Sequence, residues 1–172
     1  CGRELLAAYR KCVTDAVARF DGFIAQYLGD GVLAYFGYPK AHEDDAERAV
    51  RAALDVVGAV PGIDTRLTVQ VRAGLLTGEA AVTVGARGQG MVAGDLVNTA
   101  SRLQSAAPPG TVLVGEATYR AASGAIRPRK VFLFRRDALP VCICGGPSTV
   151  PQRQPPRQRN RANRRYPVNR QR

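Results

Sequence analysis

A chain of 172 residues, 45% of them hydrophobic, has material for one globular domain and an appendage, not for two ordinary domains. Its formal charge of +11 is uneven: residues 1–126 hold 12 Lys and Arg against 13 Asp and Glu, whereas residues 127–172 hold 13 against one. No apolar run approaches the roughly 18 residues of a membrane span and no secretory signal opens the chain, so a cytoplasmic protein with no membrane partner is expected.

Residues 4–20 place Leu5, Leu6, Tyr9, Val13, Ala16, Val17 and Phe20 at three and four spacing, which predicts an amphipathic helix ending at Asp21-Gly22. Two short apolar runs follow, 23–28 and 32–36, separated by Gly29-Asp30-Gly31, and read as a tight hairpin with Asp30 at its tip. Residues 43–57 are acidic in the first turn and apolar at Ala46, Val50, Ala53, Leu54 and Val57, a helix with charges matched to its dipole.

The alternation over 67–77 predicts a strand, with 79–84 as its hairpin neighbour. A Gly-rich loop, 85–94, leads into a helix over 95–107 that stops at Pro108-Pro109-Gly110. A strand at 111–114 and a short helix at 116–122 complete the series. The expected fold class is α+β, with helices on one face of a mainly antiparallel sheet.

Residues 127–172 have another character. They are expected to form a disordered basic tail, since from Pro147 onward the chain is Pro, Gln, Asn and Arg with almost nothing apolar, a composition that cannot offset the entropy of ordering. Such a tail attracts polyanions non-specifically through counterion release, and nothing in it beyond Tyr166 resembles a nucleic-acid-reading motif. The abrupt change after Ile126 is what a shifted reading frame produces. The four cysteines, at 1, 12, 142 and 144, lack the spacing of a zinc or disulfide framework and read as free thiols.

Three strings together carry a family resemblance: Phe20-Asp21-Gly22-Phe23 running into Tyr27-Leu28-Gly29-Asp30-Gly31-Val32-Leu33-Ala34-Tyr35-Phe36-Gly37; Ala41-His42-Glu43-Asp44-Asp45-Ala46; and Gly94-Asp95-Leu96-Val97-Asn98-Thr99-Ala100-Ser101-Arg102-Leu103. In order and spacing, residues 3–126 resemble the catalytic domain of class III adenylate and guanylate cyclases, of the bacterial type fused to ATPase-like and helical-repeat modules. The resemblance implies a ferredoxin-like, palm-type antiparallel-rich sheet with helices packed on it. The implied reaction is attack of a ribose 3′-hydroxyl on the α-phosphate of ATP, giving cyclic AMP and pyrophosphate with two Mg²⁺ or Mn²⁺ ions.

It further implies that Asp30 is one of two metal-binding aspartates, that Asn98 orients the ribose, and that Arg102 stabilises transition-state charge. The site would lie across a head-to-tail homodimer. Asn98 and Arg102, four apart, share one face of a helix, and a guanidinium fork suits phosphate oxygens.

Three departures qualify the expectation. The family's first strand, which carries the other metal aspartate at the sheet centre, does not precede Glu4, so unpaired interior strands and impaired or absent turnover are expected. At the two base-contacting positions stand Gln26 and Met91, which leave the purine open. The tail after Ile126 does not match the family. A non-catalytic regulatory or partner-binding domain is the alternative to an enzyme, and a nucleic-acid binder through the tail a third.

Overall fold

The computed structural model describes residues 2–64, 66–79, 82–84, 90–92, 95–124, 131–134, 139–144 and 148–149; of 82–84, 90–92, 134, 139–144 and 148–149 it describes the backbone. The chain opens with helix α1 (Gly2–Arg19), whose buried stripe is Tyr9, Val13, Ala16 and Val17. A turn through Asp21, at φ 56°, delivers the chain to the hairpin of β1 (Phe23–Leu28) and β2 (Gly31–Tyr35), paired from Phe23 opposite Tyr35 to Leu28 opposite Gly31. Helix α2 (Asp45–Ala59) follows, then a 3-10 turn at Val60–Gly62.

Next come β3 (Val69–Gln70), β4 (Ala73–Thr77), β5 (Val82–Val84), β6 (Gly90–Val92) and α3 (Asp95–Ala106). The chain continues with β7 (Val112–Gly115), α4 (Glu116–Ala122), β8 (Val131–Phe134), β9 (Leu139–Cys144) and β10 (Ser148–Thr149).

Six strands form the main sheet in the order β1-β2-β9-β4-β7-β8. The pairs β1/β2, β2/β9 and β9/β4 are antiparallel, whereas β4/β7 and β7/β8 are parallel. Strand alternation gives the sheet two apolar faces. On one face Val32, Ala34, Leu75, Val112 and Val114 pack with the stripes of α1 and α2, together with Ala122 of α4. On the other face Leu33, Tyr35, Leu76 and Leu113 pack with Ala100 and Leu103 of α3 and with Ala107 just beyond it. Buried Thr118 of α4 satisfies its hydroxyl against Thr77 of β4 at 2.8 Å.

The antiparallel-rich α+β sheet agrees with expectation, and four particulars differ. Helices cover both faces, because periodicity in α3 defines an apolar side without stating which sheet face receives it. The strand expected over 67–77 breaks at Val71-Arg72 into β3 and β4. The segment expected to pair with β4, β5, pairs with β6 inside the stretch read as a Gly-rich loop. Finally, residues read as a disordered tail supply β8, β9 and β10, and β9 fills the sheet interior that was expected to lack partners. Leu139–Cys144 reads Leu-Pro-Val-Cys-Ile-Cys, apolar and without charge, and suits a position bonded on both edges, where backbone N–H and C=O groups must find partners. The segment 151–172 lies outside the described residues.

Candidate active site

The tip of the first hairpin is Gly29-Asp30, enclosed by the Leu28 and Gly31 pair. Gly29 takes φ +63° at the first of the two turn positions, a conformation that costs glycine nothing and strains residues with a Cβ. The register slips between Ile24 and Gln26, and Gln26 then stands opposite Leu33 on the exposed part of β1. Asp30 is exposed.

Helix α1 clamps this tip from behind. Arg10 donates from Nη2 to the Gly29 carbonyl at 2.7 Å, and its guanidinium lies 5.0 Å from the centroid of the Tyr27 ring. The Tyr27 hydroxyl in turn meets Thr14 Oγ1 at 3.1 Å. Sequence reasoning missed Arg10, since its only local signal was a half-buried place beside the apolar stripe of α1. Arg10→Ala removes one hydrogen bond worth about 1 kcal/mol and a cation–π contact worth about 0.5–1 kcal/mol. Faster amide exchange confined to residues 27–31 is expected, measured by hydrogen–deuterium exchange, with Arg10→Lys intermediate because it keeps charge but not the fork.

Helix α3 carries the second group. Ala100 and Leu103 anchor it and Leu96 and Val97 are half-buried, so Asn98 and Arg102 are left exposed on the far side, one turn apart. Neither side chain, nor that of Asp30, has a hydrogen-bond or ion-pair partner among the described residues, so their polar groups are open to a ligand. Gly74 sets the height of this helix above β4. A Cβ there would meet the Gln104 nitrogen at 2.5 Å and the Ala100 oxygen at 2.7 Å, both backbone atoms.

The fifth predicted residue, Met91, stands opposite Thr83 in the β5/β6 ribbon; its side chain lies outside the described residues, but its strand approaches β1, which bears Gln26. One chain therefore gathers Gln26, Asp30 and the strand of Met91 near one sheet edge, whereas Asn98 and Arg102 ride on α3, which lies over β4, β9 and β7. No hydrogen bond or ion pair joins Asp30 to Asn98 or Arg102 among the described residues. The string from Ala41 to Ala46 does local work instead: the His42 amide donates to Asp45 Oδ2 at 2.7 Å and its Nδ1 lies 3.2 Å from Oδ1, fixing the entry to α2.

Residues 4–141 match the family described as the adenylate and guanylate cyclase catalytic domain. The chain belongs to this family. Adenylate cyclase 1 of Rhizobium meliloti (strain 1021) is 37% identical over 109 residues, which are 58% of this chain and 16% of that protein. Guanylate cyclase 32E of Drosophila melanogaster is 29% identical over 126 residues, 68% of this chain and 11% of that protein. The chain thus spans a small part of the length of these curated relatives. Among solved structures, the adenylyl cyclase CyaB from P. aeruginosa superposes with a TM-score of 0.66 at 26% identity, covering 88% of this chain and 83% of that one. The family match reaches past Ile126 and ends inside β9.

As a ligand set, the exposed Asp30 carboxylate offers hard oxygen of the kind Mg²⁺ and Mn²⁺ take, and it fits as one ligand of a cation completed by phosphate oxygens and water. No group of three or more His, Cys, Asp or Glu residues able to hold a metal ion exists among the described residues. No helix among the described residues is long and apolar enough to cross a membrane.

Proposed function

We propose that this cyclase domain binds ATP between two copies of the chain arranged head to tail, each site taking Asp30, Gln26 and Met91 from one copy and Asn98 and Arg102 from the other. The reading rests above all on one observation: the carboxylate and the amide–guanidinium pair are exposed, lack partners among the described residues, and occupy separate places in a single chain. The substrate assignment draws on the likeness to a protein named adenylate cyclase; Gln26 and Met91 do not exclude GTP.

In the reaction so assigned, the ribose O3′ forms a bond to the α-phosphorus while the bond from that phosphorus to the bridging oxygen of the β-phosphate breaks; the 3′-hydroxyl proton passes to water and pyrophosphate carries away the electron pair. When bound, the divalent cations acidify the 3′-hydroxyl and neutralise the leaving phosphates, and Asp30 would hold them. Arg102 spreads two donors across the phosphate oxygens as negative charge grows there, and Asn98, one turn earlier, hydrogen-bonds the ribose and holds its 3′-oxygen in line. Gln26 presents an amide to the base.

Turnover is proposed to be low, because the central strand β9 contributes no Asp or Glu. That same observation favours a second reading, a partner-binding domain that keeps the fold without turnover. Residues 153–172 add non-specific polyanion attraction. Incubation of the purified chain with ATP and Mn²⁺, with cyclic AMP quantified by mass spectrometry, separates the two: Asp30-dependent product supports the cyclase reading, and no product at any protein concentration supports the second.

A further inference from the structure

The main sheet ends at β8, and among the described residues no strand bonds to the outer edge of Val131–Phe134. Apolar rows run out of the core to this rim, Leu75–Val114–Leu133 on one face and Gly74–Leu113–Phe132 on the other. Leu113 and Val114 are buried, whereas Leu133 is 40% and Phe132 47% exposed. Tyr119, also exposed, stands on α4, the helix that packs against β8 on the Leu133 side. Natural sheets blunt such an edge with a charge, a proline or a bulge. Strand β8 has none of the three, since it reads Val-Phe-Leu-Phe and pairs with β7 without a slip.

Charge along the chain on either side of the strand selects what covers it. Arg127, Arg129 and Lys130 precede β8 and Arg135 and Arg136 follow it, with no Asp or Glu among residues 127–136. A second copy paired antiparallel would bring like charges together at both ends. A nucleic acid matches the charge but offers no strand edge, and a bilayer leaves the backbone N–H and C=O groups of the edge unpaired. We propose that the outer edge of β8 takes an extended segment of a partner protein, apolar over the residues opposite Val131–Phe134 and acidic at both ends. Main-chain hydrogen bonds extend the sheet by one strand, Phe132 and Leu133 each gain an apolar cross-strand neighbour, and the acidic ends meet the basic residues on either side. Strand β8 and the Asp30 hairpin stand at opposite ends of the sheet order, so the two sites are independent.

Hydrogen–deuterium exchange of the full chain with three synthetic peptides tests this: four valines flanked on each side by two glutamates, the same valines flanked by lysines, and the same glutamates around four serines. The first is expected to slow exchange at residues 131–134 by about tenfold or more, and the other two to leave it unchanged. Phe132→Ser and Leu133→Ser, both at exposed positions, are expected to keep the circular dichroism of the parent and to weaken peptide binding about tenfold. Equal protection by either control peptide, or protection by none, overturns the site, as does full protection in both serine variants. Protection that grows with protein concentration before any peptide is added would assign the edge to a second copy, and protection by phosphatidylserine vesicles but not by the first peptide would assign it to a membrane surface; either result contradicts the proposal.

Discussion

Replacing Arg102 by Ala is expected to cut cyclic nucleotide formation by about 10²–10³-fold while raising the KM for ATP far less. The reason is that a guanidinium aimed at phosphate oxygens is worth most where charge accumulates, in the transition state. Arg102→Lys is expected to recover only a minor part, since an ammonium cannot span two oxygens. Arg102 is exposed on α3 and makes no ion pair among the described residues, so both variants should melt at the temperature of the parent. An equal fall in kcat/KM and in stability would instead mark Arg102 as structural.

A second large effect is expected far from any reacting atom. In Gly74→Ala the added Cβ meets backbone atoms of Gln104 and Ala100 at 2.5 and 2.7 Å, and neither can swing aside as the end of a side chain could. Helix α3 has to lift from β4. Overpacking of this kind costs about 1–3 kcal/mol, or a fall in melting temperature of roughly 2–10 °C for a domain of this size. The same displacement moves Asn98 and Arg102, so activity should fall further than the loss of folded protein explains. Gly58→Ala is the natural control: its Cβ enters open space within α2, and the gain in helix propensity should raise stability by about 0.5–1 kcal/mol. Thermal melts followed by circular dichroism distinguish the two signs.

Local signals carried much of this domain. Gly29-Asp30-Gly31 between two apolar runs located the hairpin and its carboxylate, because turn chemistry is written in adjacent residues. The stripe of α3 located Asn98 and Arg102 on its exposed side for the same reason. What escaped sequence reading was non-local. Periodicity could not assign α3 to the face opposite α1 and α2, nor could it show that β5 pairs with β6 and, among the described residues, not with β4.

The position of β9 was the least legible of all. Its neighbours in space, Leu33 and Gly74, are 110 and 69 residues away from Ile143 along the chain, and basic residues around it made the whole segment resemble a tail. Arg10 escaped for a related reason: nothing in α1 states that a turn nearly 20 residues later ends beside it.

The proposed site is divided between two chains, and Mn²⁺-dependent cyclic AMP formation by an equimolar mixture of Asp30→Ala and Arg102→Ala proteins tests that division directly. Each variant alone is expected to be nearly inactive, since every site in its homodimer lacks one group. In the mixture, random pairing makes half of the dimers mixed, and each mixed dimer has one intact site, so about a quarter of the parental activity should return. A mixture no more active than its components would place Asp30 and Arg102 in the same site of a single chain, or in no common site, and would contradict the proposal.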